Sequence, residues 1–279
     1  MASVDQHAEL GTFLRARRQQ LVRADFELPP VGRNRTIGLR REEIAYRASL
    51  SVTWYTWLEQ GRPVNPSRQV LDALAMTMRL SAAEHDYLLS LAGYAPAAPA
   101  GSTPTDAPAS LRRLLDALLP SPAFAVSTDW TIAAWNAAYE ALYPPVATAA
   151  PEDRNLLLAI FTDPSVRDLL PDWDVTSRHF LAEYRADAGP LLGQPEHVAL
   201  VTRLLATSPD FAAAWAAHEV ERFASRERRF THPTAGELVF EHHRLIPSDQ
   251  PELHVVVYLA DGDPPTRDKM GSLVPYDRF

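Results

Sequence analysis

Along the first third of the chain, apolar residues recur at helical spacing. Leu10, Phe13, Leu14 and Leu21 share one face, Ile44, Ala45 and Ala48 the next, and Val70, Leu71, Leu74 and Met78 a third. Between Val22 and Gly38 the pattern gives way to a loop carrying Pro29, Pro30, Gly32, Arg33 and Arg35. A last short helix, residues 82–92, is predicted behind Ser81, because Glu84 three residues on completes a capping box. Residues 1–95 therefore read as an all-α domain of about five helices with no strand.

The pattern then changes. The run APAAPAGSTPTDAPA, residues 95–109, has almost no large apolar side chain and cannot build a core, so residues 96–109 read as a semi-rigid linker. Residues 110–279 form the second predicted domain. Strand-like runs at 123–127 and 131–135 flank Thr128, Asp129 and Trp130 as a tight turn, after which Asn136 opens a helical section. Helices are predicted near 155–161, 166–170, 177–188, 196–207 and 210–220, with Pro164, Pro171, Pro195 and Pro209 near their starts. Strand patterns return at 229–232, 237–245 and 254–260. Two strands, a helical insert and three strands make an α+β domain with a five-stranded antiparallel sheet.

Charge sharpens the division. The net charge of −8 conceals 12 Arg against 10 Asp and Glu in residues 1–95, leaving the remainder strongly acidic, so the two halves face different partners. Lys269 is the sole lysine, which puts nearly all positive charge on guanidinium groups, suited to phosphate. The absence of cysteine excludes disulfides, thiolate metal sites and cysteine nucleophiles, and fits a reducing cytoplasm. No stretch approaches the roughly 18 apolar residues that cross a bilayer. The start, MASVDQHAEL, lacks the basic-then-apolar pattern of a secretory signal. The expectation is a cytoplasmic protein with no membrane partner.

The most specific local signal is LRREEIAYRASLSVTWYTWLEQGR, residues 39–62. Its first helix buries Ile44, Ala45 and Ala48, and the small Ala45 lets a second helix cross closely. Ser49 and Leu50 turn the chain, and Ser51 caps the second helix, in which Val52, Tyr55 and Leu58 recur at threes and face inward. Thr53, Trp54, Thr56 and Trp57 are left outward as a groove-reading face, with Arg40 and Arg41 beside the first helix to hold phosphates. The candidate DNA contacts are therefore Arg40, Arg41, Ser51, Val52, Thr53, Trp54, Thr56, Trp57 and Arg62. The plainer alternative is two packed helices with no DNA role.

With these residues in hand, the segment from Leu10 to Leu91 resembles the helix-turn-helix of the xenobiotic-response-element family, and SVTWYTWLEQG (51–61) resembles the branch that carries an MmyB-like ligand-binding domain. The resemblance implies that Arg18 of the first helix pairs with Glu59, a structural pair near the DNA. The second domain is similar to the MmyB-like, PAS-like domain through WTIAAWNAAYEALY (130–143), RNLLLAIFTDP (154–164), LLPDWD (169–174), ATSPDFAAAWAAHEV (206–220) and HPTAGELVF (232–240). That implies an apolar cavity between sheet and helices able to take a fatty-acid-like molecule.

Candidate ligand contacts are Trp135, Asn136, Arg154, Phe161, His179, Phe180, Trp215, His218 and Phe240. Each has a structural alternative: Asn136 as a helix cap, Arg154 as an ion-pair partner, His179 and His218 as satisfied interior histidines. His242 and His243 are neighbours in a strand pattern and point to opposite faces, so they do not read as a metal site. No phosphate loop, nucleophile elbow or paired helical histidines appear, so catalysis has no supporting motif. The sequence reads as a ligand-responsive transcription regulator binding double-stranded DNA as a homodimer, since one short helix reads few base pairs. No cofactor is expected beyond a possible bound fatty acid or similar apolar ligand. Two rivals stay open: a DNA-binding protein whose second domain holds a protein partner or dimerises without ligand, and an enzyme with an appended helix-turn-helix.

Overall fold

The computed structural model describes residues 4–29, 38–94, 107–260 and 262–274. The loop positions Pro30, Gly32, Arg33 and Arg35 and the linker from 96 to 106 lie outside the described residues. The described residues fall into two compact units. One draws on Met1–Ala98, Arg185–Ala199 and Ala213–Glu221, the other on Pro99–Tyr184, Leu200–Ala212 and Arg222–Phe279.

The first unit contains α1 (Val4–Gln20), α2 (Arg41–Arg47), α3 (Val52–Glu59), α4 (Arg68–Met78) and α5 (Ala82–Leu91), with a 3-10 turn at Arg23–Phe26. Their apolar stripes meet in one core that includes Leu10, Phe13, Leu14, Ile44, Tyr55, Leu58, Leu71, Leu74 and Leu88. Side-chain caps fix where the helices begin. The Ser81 hydroxyl accepts from the Glu84 N–H (3.3 Å), and the Glu84 carboxylate accepts from the Ser81 N–H (2.6 Å), which satisfies two otherwise orphaned donors. Val220 is buried in this core, and Ala186 and Leu192 pack against it, so residues from late in the chain complete the unit.

The second unit begins with α6 (Ala109–Asp116), β1 (Ala123–Ser127) and β2 (Ile132–Trp135). The helical insert comprises α7 (Ala137–Leu142), α8 (Pro145–Thr148), α9 (Leu156–Thr162), α10 (Pro164–Leu169), α11 (Trp173–Ala188), α12 (Pro195–Thr207) and α13 (Pro209–Ala216), with the last parts of α11 and α13 and the first part of α12 belonging to the first unit. β3 (Arg226–His232), β4 (Gly236–Leu245), β5 (Leu253–Leu259) and α14 (Pro264–Leu273) close the chain. The strands form one five-stranded antiparallel sheet in the order β2-β1-β5-β4-β3.

Strand alternation gives the sheet two unlike faces. Ala123, Ala125, Leu253, Val255 and Val257 pack with Leu111 and Leu115 of α6. The opposite face carries aromatics: Phe124 lies 4.2 Å from Tyr139, and Phe230, Phe240 and Tyr258 meet one another at 5.2 to 6.0 Å between ring centres.

Candidate nucleic-acid interface and ligand cavity

In the first unit, α2 ends where Ser49 adopts a left-handed backbone (φ 57°) and the Leu50 N–H returns to the Ala45 carbonyl at 2.8 Å. The chain is then redirected into α3, whose N-terminus is capped by the Ser51 hydroxyl accepting from Trp54 N–H (3.1 Å). Tyr55, Leu58 and Glu59 of α3 are buried, and Val52, Thr53 and Trp57 are exposed. Val52 departs from the inward position that steps of three assign it: it is 40% exposed. At about 3.6 residues per turn, each step of three drifts around the helix, so the buried stripe centres on Tyr55, Leu58 and Glu59 and leaves Val52 at its rim. Trp54 departs in the other direction, half-buried against the core. The Thr56 hydroxyl donates to the Val52 carbonyl at 2.8 Å.

Helix α1 holds the end of α3. Gly11 lies where a Cβ would meet the Leu58 carbonyl oxygen at 2.7 Å, so only glycine permits this approach. Arg15 donates to the Glu59 carbonyl (3.1 Å), and Arg18 grips the Glu59 carboxylate through two bonds. Arg41, at the start of α2, donates to Glu59 Oε2 at 2.7 Å, so one carboxylate joins three helices. Burial pushes the Glu59 carboxyl up, but Arg18 and then Arg41 outweigh it and hold the group below the usual carboxylate range. Arg40 is exposed, and Arg62 lies over the Trp57 ring at 5.5 Å while its Nε donates to Gln60 Oε1.

In the second unit, a small pocket of about 40 Å³ lies between the aromatic sheet face and the insert, lined by Tyr139, Leu142, Tyr143, Ile160, Leu169, Phe180, Phe230 and Tyr258 among others. Its polar edge is the Tyr143 hydroxyl, which donates to Asp163 at 2.8 Å. The volume approaches that of one or two waters, well short of the roughly 300–1,000 Å³ of pockets that hold drug-sized ligands. A larger open cleft, about 390 Å³, lies between α6 and β2 and is bordered by Arg112, Asp116, Trp135 and Arg154.

Residues 107–273 match the MmyB-like transcription regulator ligand binding domain, more than half of the chain. The chain belongs to the MmyB-like transcription regulator family. Residues 9–88 match a helix-turn-helix domain, so this regulator joins a DNA-binding domain to a ligand-binding domain. No curated protein matches the chain. No helix among the described residues is long and apolar enough to cross a membrane.

The regulator disperses most of the residues expected to line its cavity. Of Trp135, Phe161, Phe180, Trp215, His218 and Phe240, Phe180 alone borders the void. Trp135 stands in the α6–β2 cleft under the Arg154 guanidinium (5.3 Å), with its indole N–H donating to Glu140. Phe161 is buried edge-on against Trp173 and Phe211, and Phe240 packs on Phe230 and Tyr258. His179 is half-buried on α11. Asn136 caps α7, and its amide is fully used: Oδ1 accepts from Tyr139 and Ala123 N–H, and Nδ2 donates to the Leu115 and Ser121 carbonyls. Arg154 donates Nε to the Ala149 carbonyl, not to a carboxylate.

Trp215 and His218 belong to the first unit. There Arg185 lies over the Trp215 ring at 4.0 Å and bonds Glu9 (2.8 Å) and His218 Nδ1 (2.9 Å). The lining residues that sequence reasoning missed, Tyr139, Tyr143, Phe230 and Tyr258, carried a signal only in aromatic density. Their shared face depends on register, which sets Tyr258 opposite His242.

Proposed function

We propose that this regulator reads a DNA operator with α3 and changes its DNA affinity when a small apolar, fatty-acid-like molecule occupies the second unit. The carrying observation is the two-sided build of α3: Tyr55, Leu58 and Glu59 locked inward, Val52, Thr53 and Trp57 presented outward. Val52, Thr53, Thr56 and Trp57 then meet the groove with Trp54 at its rim, Ser51 sits at the helix end facing a phosphate, and Arg40, Arg41 and Arg62 flank it. A homodimer doubles the site that one short helix can read. In the second unit, the ligand enters the PAS-like sheet–helix void by parting α9 and α10 from the aromatic face, because the void of about 40 Å³ is too small for an alkyl chain.

The small volume also favours a second reading, in which the domain holds no ligand and serves as a dimerisation or protein-binding module. One experiment separates the two. The full chain is melted and titrated against its preferred duplex with and without medium-chain and long-chain fatty acids. A rise in Tm by mass action, together with a changed duplex affinity, supports ligand sensing. No change in either quantity supports the ligand-free module.

A further inference from the structure

We propose that α3 recognises the C5-methyl groups of thymine, so that the specific positions of the operator are A·T pairs read by apolar contact. The inference rests on α3 being the helix that enters the major groove. In that docking the N-terminal residues of the second helix meet base edges. Here those residues are Val52 and Thr53, followed one turn later by Thr56 and Trp57.

The chemistry of this face is unusual for a base reader. The helix VTWYTWLE contains no Arg, Lys, Asn or Gln, so the two-pronged pairings to guanine O6 and N7 or to adenine N6 and N7 have no donor set on it. Its carboxylate, Glu59, is buried under Arg18 and Arg41. The Thr56 hydroxyl proton goes to the Val52 carbonyl, so toward a base that oxygen can only accept. What remains outward is the isopropyl group of Val52, Thr53 with its methyl and hydroxyl, and the Trp57 indole, 38% exposed.

Among the described residues, three polar side chains beside α3 already have partners. Arg41 is tied to Glu59 at 2.7 Å, and Gln60 and Arg62 lie beyond the last turn of α3, bonded to each other at 3.1 Å. In the major groove one feature is apolar and marks a single base, the thymine methyl. Val52 and Thr53 match that feature, and burying one methyl between them is worth about fourfold in affinity.

The test uses the full chain and duplexes selected by it from a random pool. Each dT of the selected site is replaced in turn by dU, which keeps every hydrogen-bonding group and removes only the methyl. We expect one or more selected T positions per half-site at which dU weakens binding about fourfold each. Val52→Ala or Thr53→Ser should weaken the dT duplex and leave the dU duplex nearly unchanged. The inference is overturned if specific binding persists but dU is silent at every position, or if the selected positions are G·C pairs. A chain that does not distinguish selected from random duplex, or whose specificity survives Val52→Ala, Thr53→Ser and Trp57→Ala alike, overturns the groove reading of α3 and this inference with it.

Discussion

Arg18 and Glu59 meet through two hydrogen bonds, 2.5 Å from Nε to Oε1 and 3.1 Å from Nη2 to Oε2, with both side chains buried. The contact ties α1 to the last turn of α3 and so sets the angle at which α3 leaves the core. Removing Glu59 leaves the buried Arg18 guanidinium without its carboxylate, and removing Arg18 leaves Glu59 held only by the more exposed Arg41, so each loss approaches the roughly 3–5 kcal/mol of a broken buried pair. Arg18→Ala and Glu59→Ala should therefore destabilise the first unit to a similar extent, and the double variant should cost less than the sum by about 0.5–3 kcal/mol. Urea titration followed by tryptophan fluorescence measures this. Strictly additive losses contradict the pair. Arg41, more exposed, should cost less than about 1 kcal/mol when truncated.

Acid should loosen the first unit through two carboxyls. Burial pushes Glu9 up, but the contact with His218 and the charge of Arg185 outweigh it, so Glu9, like Glu59, is held below the usual range. A carboxyl with a depressed folded-state pKa adds stability that is present above its unfolded value, about 4.3 for Glu, and is lost as pH falls through the folded value. The first unit's contribution to thermal melts should hold down to about pH 4.5 and decline below it. Glu59→Gln should be less stable at neutral pH and flatter in acid. Parallel declines in the variant and the parent would remove Glu59 from this account.

His242 gives the second unit a different pH window. Burial, then the charges of Arg228, Arg226 and Arg244 and of His243, hold its imidazole well below the ordinary histidine range. The ring stays neutral, and Nδ1 accepts from Arg228 Nε. Below about pH 6.5 the unfolded chain binds a proton that the folded chain refuses, so stability should fall as pH drops from there. His242→Asn should abolish that slope between pH 6.5 and 5 in a melt of the full chain. An unchanged slope assigns it to another group.

The void beside Tyr139 and Phe180 makes its own forecast. Leu142 is buried on its wall, and Leu142→Ala should lower stability by about 2–5 kcal/mol. The enlarged apolar cavity should then take benzene, and benzene should raise the Tm of the variant more than that of the parent. Equal shifts would mean that the wall collapses into the space.

Much of this architecture is legible in the chain because it is local. The caps at Ser51 and Ser81, the turn at Ser49 and the alternation along β5 each involve residues a few positions apart. Helices α6 and α14 are less visible. The first follows a Pro/Ala-rich run and buries only Leu111 and Leu115, and the second opens on two prolines and buries Thr266 and Met270. The placement of Trp215 and His218 was illegible for another reason: their partners, Arg185 and Glu9, lie far away in sequence, and no local pattern announces such a pairing. Aromatic density pointed to a cavity domain, but membership of the lining needs strand register, which turns Tyr258 and Phe230 to the helical side and leaves Trp135 at the sheet edge.

The central claim is that α3 reads sequence, and the most direct measurement is the affinity of the full chain for its selected duplex and for random duplex, before and after Thr53→Ala. Thr53 is exposed near the N-terminus of α3. The account predicts a loss of about fourfold or more, ~1 kcal/mol, on the selected site with binding to random duplex unchanged. Equal loss on both duplexes, or none on either, would contradict it.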